Sequence, residues 1–220
     1  IGGSIRHLDA PGEMGLNEVI WDLQLEEEGA DGEMMDPGPR VLPGIYLVRL
    51  ETGDAIIEGE VTVRLDPRVS VSRTVLAARQ SAMLSSYRLS GATDAAGDAL
   101  DALEDQLDDV ASLLAVAGNG VSDLTAEVEA MLEDVEAMGN WLDDVSDGAN
   151  MMGQIQSVSG PPTADQLWQI EQSWNDVPDV IDSVNEMLTT TLPALYDRLD
   201  REGVRPDPGQ AITMPRRGGR

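Results

Sequence analysis

The chain has no cysteine, no lysine and no phenylalanine, and a single histidine, His7. Without cysteine there are no disulfides and no thiolate metal sites, while the compartment stays open, because exported proteins need not contain cystines. One histidine cannot form an HExxH zinc site or a histidine cluster, and His7 has no evident nucleophile beside it for a triad. With lysine absent, the 14 basic residues are all arginine, and they face 41 acidic ones for a net charge of −27. A surface of that sign repels phosphate backbones and anionic lipid, which argues against nucleic acid and anionic membrane surfaces as partners. No apolar run reaches the roughly 20 residues that would span a bilayer. A phosphate-cradling loop is also missing, since Gly118-Asn119-Gly120 lacks the Lys and Ser or Thr that should come after it and reads as a helix-closing turn. The chain opens at Ile1 without Met or a signal-like segment, which reads as a fragment or a processed product.

The residues present include enough apolar material for a sizeable core: 220 residues, 41% hydrophobic. The span from Leu89 to Asp197 holds 23 Asp and Glu and no Arg, laid over apolar stripes at helical spacing. One stripe runs Leu100, Leu103, Leu107, Val110, Leu114, Ala117. A second runs Leu124, Val128, Met131, Val135, Met138, Leu142, Val145. The third runs Leu167, Ile170, Trp174, Val177, Ile181, Val184, Leu188 and continues through Leu192 or its neighbour to Leu195 and Leu199. Three such helices bury their stripes most economically against one another. The charge then reads as a solvated coat suited to salty surroundings.

Boundaries come from local signals. The first helix is expected over about 72–117, crossing Gly91 and Gly97 as one helix with a weak middle. The second is expected over 122–147 with Ser122 as N-cap, and the third over 163–202, opened by a Thr163/Gln166 capping box and kinked at Pro178 and Pro193. Between them, Ala149 to Pro162 reads as a Gly, Ser and Pro-containing connection, and residues 204–220 as a disordered tail.

Residues 1–67 read as β-structure. Ser4 to Leu8, Asn17 to Leu23, Ile45 to Leu50 and Ile56 to Leu65 give three or four strands, with Val19, Trp21 and Leu23 on one face. Asp66-Pro67-Arg68 closes this region. The acidic segment Glu26 to Asp36 reads as a mobile, solvated insertion; its oxygens could suit calcium, although their spacing fits no EF-hand loop. The fold class expected is α+β, mainly α.

No residue is assigned to catalysis, cofactor binding or metal binding. Among 41 acids, close carboxylate pairs arise by chance, and those on the helices are spaced for solvent. Trp21 and Trp174 fall in phase with core positions, and Met131 and Met138 belong to the second stripe. Trp141 and Trp168 flank their stripes, where boundary packing outweighs stacking on a sugar or a partner chain.

Pro11-Gly12, Gly15-Leu16-Asn17-Glu18-Val19-Ile20-Trp21-Asp22-Leu23 and Leu42-Pro43-Gly44-Ile45-Tyr46-Leu47-Val48-Arg49-Leu50 form a recognisable combination. It resembles the signature of the Ig-like domain similar to that of flagellar hook-capping proteins. The block Val61 to Arg68, the Pro161-Pro162-Thr163 helix start and Leu192-Pro193-Ala194-Leu195 resemble the C-terminal region of large bacterial BNR-repeat β-propeller proteins, often labelled sortilin-like or glycosyl hydrolase. The acidic insertion around Gly29 to Asp36, longer than the usual hairpin there, and Tyr196, where Asn is usual, depart from that pattern.

The resemblance implies the end of an Ig-like sandwich followed by an antiparallel three-helix bundle. It also implies a secreted or periplasmic protein, with any hydrolytic site upstream in the propellers, which would be partner domains of the same chain. An Ig-like sandwich needs about seven strands, so partner strands are expected upstream of Ile1. The function expected is a non-catalytic C-terminal structural or interaction module, with a protein partner possible and no cofactor. Its rivals are a piece of a glycoside hydrolase and an oligomeric coiled-coil adaptor whose stripes pair between chains.

Overall fold

The computed structural model describes residues 3–28, 34–53, 55–117 and 122–203. The Gly118-Asn119-Gly120 turn, the tail 204–220 and the centre of the acidic segment, 29–33, lie outside the described residues. The fold is α+β and mainly α. Its elements are β1 (Gly44–Thr52), β2 (Ala55–Val63), α1 (Arg73–Ala117), α2 (Ser122–Val145), α3 (Met151–Ser157), α4 (Ala164–Glu186) and α5 (Leu192–Arg201). A 3-10 turn, Asp147–Asn150, leads into α3, and a π-helical turn, Met187–Thr191, joins α4 to α5.

The three stripes build the core except at two ends, where Ala117 of the first and Leu167 of the third are exposed. Leu103, Leu107 and Val110 of α1, Val128 of α2, and Val177, Val180 and Val184 of α4 are sealed from solvent. Three cross-links fix the helix directions. Trp174 Nε1 donates to Ser85 Oγ at 2.7 Å, Tyr196 OH donates to Gln106 Oε1 at 2.9 Å, and Arg198 pairs with Glu127. Helix α1 therefore runs parallel to α4–α5, and α2 runs against both. α1 is one 45-residue helix through both glycines. At Gly91 the missing side chain has a use: a Cβ there would lie 2.6 Å from Met35 Sδ, so Met35 seats directly on the helix backbone.

The third helix opens on the expected capping box, with Thr163 Oγ1 accepting from Gln166 N–H and Gln166 Oε1 accepting from Thr163 N–H. Pro178 sits inside α4 without ending it. Pro193 is accommodated by the π-turn, in which Leu192 N–H reaches back to Met187 O. A wider turn inserts one residue and rotates α5 relative to α4, and the rotation brings Leu192, Leu195 and Leu199 into line with Val184 and Leu188. The choice between Leu192 and its neighbour is thereby made in favour of Leu192.

Several expectations need correction. α2 ends at Val145 rather than 147, and its first residue is Ser122, so the capping position lies outside the described residues. The connection 149–162 contains helix α3, because Met151 and Ile155, one turn apart, are buried. Two serines hold this segment in place. Ser86 Oγ donates to Ala149 O and accepts from Met152 N–H. Ser173 Oγ donates to Val145 O and accepts from Gly148 N–H. At the far end, Arg79 Nη2 donates to Ile155 O and Gln156 O, satisfying carbonyls at the α3 C-terminus.

The β region has two strands among the described residues, not three or four: β1 pairs antiparallel with β2 from Gly44↔Val63 to Thr52↔Ala55. Ser4 to Leu8 and Asn17 to Leu23 are not strands. Leu23 takes φ 66°, which breaks the alternation, and Trp21 Nε1 folds back to donate to Gln24 O. These segments are tied down by scattered bonds instead, such as Glu26 N–H to Ile5 O and Val41 N–H to Leu23 O. The acidic segment is anchored where it is described, although Glu28, Met34 and Asp36 are exposed. Glu27 forms a two-pronged ion pair with Arg88 at 2.6 and 2.7 Å, Tyr87 OH donates to Asp36 O, and Leu25 is buried.

Candidate functional site

Residues that sequence reasoning weighed for chemistry are dispersed. His7 is exposed; its Nε2 lies 4.0 Å from Asp9 Oδ1, and its backbone N–H donates to Glu26 Oε2 at 3.3 Å. Trp174 is in the core, and Trp21 is half-buried with its ring edge-on to Tyr46 at 5.5 Å. Trp141 of α2 and Trp168 of α4 are exposed. Among the described residues no group of three His, Cys, Asp or Glu is placed to hold a metal ion. The calcium reading of Glu26 to Asp36 therefore has no donor set among them. No described helix is long and apolar enough to cross a membrane.

Two features remain. The first is a cleft of about 400 Å³ where the 34–37 segment crosses α1 and meets the start of α3. Asp36, Asp94 and Asp98 line it together with Met34, Met35 and Met152. Asp94 and Asp98 stand one turn apart on α1, and sequence reasoning missed the cleft because Asp36 and Met35 arrive from far away in the chain. Asp94 is accessible at the mouth, yet its carboxyl is held above the ordinary carboxylate range, first by the protein crowding it and then by repulsion from Asp98 and Asp36.

That shift has a sign. The folded chain binds this proton more tightly than the unfolded chain, so the contribution to stability is full below the ordinary carboxylate pKa. It is lost as pH rises through the raised folded value. Asp94→Asn should flatten the fall in stability with rising pH over that window, measured by chemical denaturation at stepped pH. An unchanged slope would contradict the assignment.

The second feature is the hairpin. Cross-strand pairing places Tyr46, Val48 and Leu50 on one face opposite Val61, Gly59 and Ile57. The other face is mixed: Ile45, Leu47, Arg49 and Glu51 stand opposite Thr62, Glu60, Glu58 and Ile56. On the apolar face Tyr46 is covered by the Trp21 ring edge and by its own hydroxyl donating to Leu42 O, and Val63 at the end of the hairpin is partly buried. Val48, Leu50, Ile57 and Val61 are open to solvent, Val48 at 50% and Ile57 at 58%. No backbone hydrogen bond among the described residues joins either outer edge of the hairpin to another segment. Between Arg40 and Arg68 four arginines meet five carboxylates, so this part is close to neutral in a chain of net charge −27.

Comparison with protein-family models, with curated proteins and with solved structures finds no match to the chain.

Proposed function

We propose that the chain is a non-catalytic structural and interaction module whose hairpin docks on the apolar face of a further β-sheet in the same, larger exported protein. The observation that carries this reading is the bare face of Val48, Leu50, Ile57 and Val61. A two-stranded hairpin is marginal by itself in water, and an apolar sheet face with free edges is satisfied best by another sheet. Local neutrality supports the same site, since an approaching domain meets far less net charge there than on the span from Leu89 to Asp197, with its 23 acids and no arginine. The resemblance to the end of an Ig-like domain supplies the form of the partner: the remaining strands of the sandwich, ahead of which β-propeller domains would stand.

In this reading the helical part is an antiparallel three-helix bundle with α3 as a short addition. The bundle stripes are buried within one chain, which favours a module of this kind over an adaptor that pairs its stripes between chains. The test is hydrogen exchange on the hairpin amides, comparing this chain with one extended upstream along its own reading frame. Protection should rise at least about tenfold in the extended chain, and Ile57→Glu should remove the gain. An upstream frame with no strand-forming segment, or equal exchange in both chains, overturns the proposal.

A further inference from the structure

We propose that residues 204–220, outside the described residues, form a basic strap that folds back over the outer face of α1, its apolar residues covering Leu113 and Val116 and its arginines meeting Asp101, Asp105 and Asp109. Asp101, Asp105, Asp109 and Leu113 follow one another at steps of four, so they share one side of the helix, with Val116 one turn beyond. All three aspartates are exposed, as are Leu113 at 45% and Val116 at 88%. No ion pair among the described residues involves the three carboxylates. Like charges at this spacing cost stability, and two large apolar side chains beside them stay in water. By itself such a face is only solvated surface. Two further observations supply its occupant.

The first is charge. Residues 204–220 carry Arg205, Arg216, Arg217 and Arg220 against Asp207 alone, whereas the span from Leu89 to Asp197 has 23 acids and no arginine. The second is position. Tyr196 OH donates to Gln106 Oε1 and α5 runs parallel to α1, so Gly203, seven residues past Tyr196, stands about level with Leu113, seven residues past Gln106. Gly203 takes φ 78°, the left-handed close of a helix, after which the next residue commonly packs back on the last turn; that residue is Val204. The strap therefore starts beside the exposed apolar end of the face. From Val204 to Arg216 the chain can extend up to about 40 Å, against about 18 Å of helix from Leu113 to Asp101, so the arginines reach all three carboxylates. Ile212 and Met214 add apolar side chains on the way. A tether of this length holds the arginines at roughly millimolar effective concentration, so individually weak ion pairs suffice.

The absence of cysteine makes the test clean, because Gly219→Cys in the whole chain carries a single nitroxide label. Paramagnetic broadening is then read on the backbone amides at low salt. The signals of Asp101, Asp105, Asp109 and Leu113 should fall at least about twofold, the tether keeping the strap on that face. Those of Glu129, Glu133 and Glu136, exposed acids of α2, should keep their intensity. Arg216→Gln combined with Arg217→Gln should restore the α1 signals, as should molar salt. Val116→Ser, at a side chain that packs on nothing in the bundle core, should restore them in part. Equal broadening on α1 and α2 would show diffuse attraction to the acidic surface, and broadening in a mixture of labelled and isotope-enriched chains would show contact between copies. Either result, the absence of broadening, or broadening indifferent to Val116→Ser overturns the strap.

Discussion

Replacing Gly148 by alanine should cost the fold about 3 kcal/mol, at the upper end of what overpacking usually does. The corresponding fall in melting temperature is about 6–12 °C for a chain of this size. The reason is geometric. A Cβ at Gly148 would lie 2.6 Å from Gln169 O, 2.7 Å from Ile170 Cα and 2.8 Å from Ser173 Oγ. Two of those atoms are α4 backbone and cannot swing aside. The third is the hydroxyl that ties Val145 O and Gly148 N–H together, so relief by moving Ser173 breaks two buried hydrogen bonds. Gly139, inside α2 with nothing near its Cβ position, is the control: alanine there should stabilise by up to about 1 kcal/mol. Calorimetry on the two variants separates the explanations, because a Gly148→Ala protein that melts like Gly139→Ala would mean that the α2–α4 corner is not packed this closely.

The same corner shows where sequence reasoning reaches its limit. The stripes on α1, α2 and α4 were legible because helical periodicity is a local property of the chain, and the cap at Thr163 was legible for the same reason. Helix α3 was not, since its seven residues include Gly153 and are held by Ser86 and Arg79 of α1, while Ser173 of α4 holds the turn that leads into it. A faint signal existed: Ser173 stands directly beside Trp174 on the buried side of α4, and a small polar residue there marks close approach of another backbone. The strands at Asn17 to Leu23 failed for the converse reason. Their alternation was real, but without a neighbouring strand to pair with, Leu23 and Trp21 settle into a turn instead. Tyr87 and Arg88 of α1 anchor the incoming 25–38 segment, and nothing local in the sequence marks them for it. The cleft and its three carboxylates depend on that anchoring, so they were invisible in the sequence too.

Leu107→Ala should destabilise the chain by about 2–5 kcal/mol, and Leu113→Ala by less than about 1 kcal/mol, although both are leucines of one helix. Leu107 is fully buried in the core, while Leu113 remains 45% exposed. The contrast tests more than packing. If the leucines of α1 are satisfied inside one chain, sedimentation should give the same monomer mass for the parent and both variants, and the loss at Leu107 should not depend on protein concentration. If the stripes paired between chains, the melting temperature of the parent would rise with concentration and Leu107→Ala would shift the association equilibrium as well as the melt. With no arginine between Leu89 and Asp197 to form ion pairs inside that span, apolar contact carries most of the packing between these helices, beside the polar links at Trp174, Tyr196 and Arg198. A buried leucine is therefore the most sensitive place to test it.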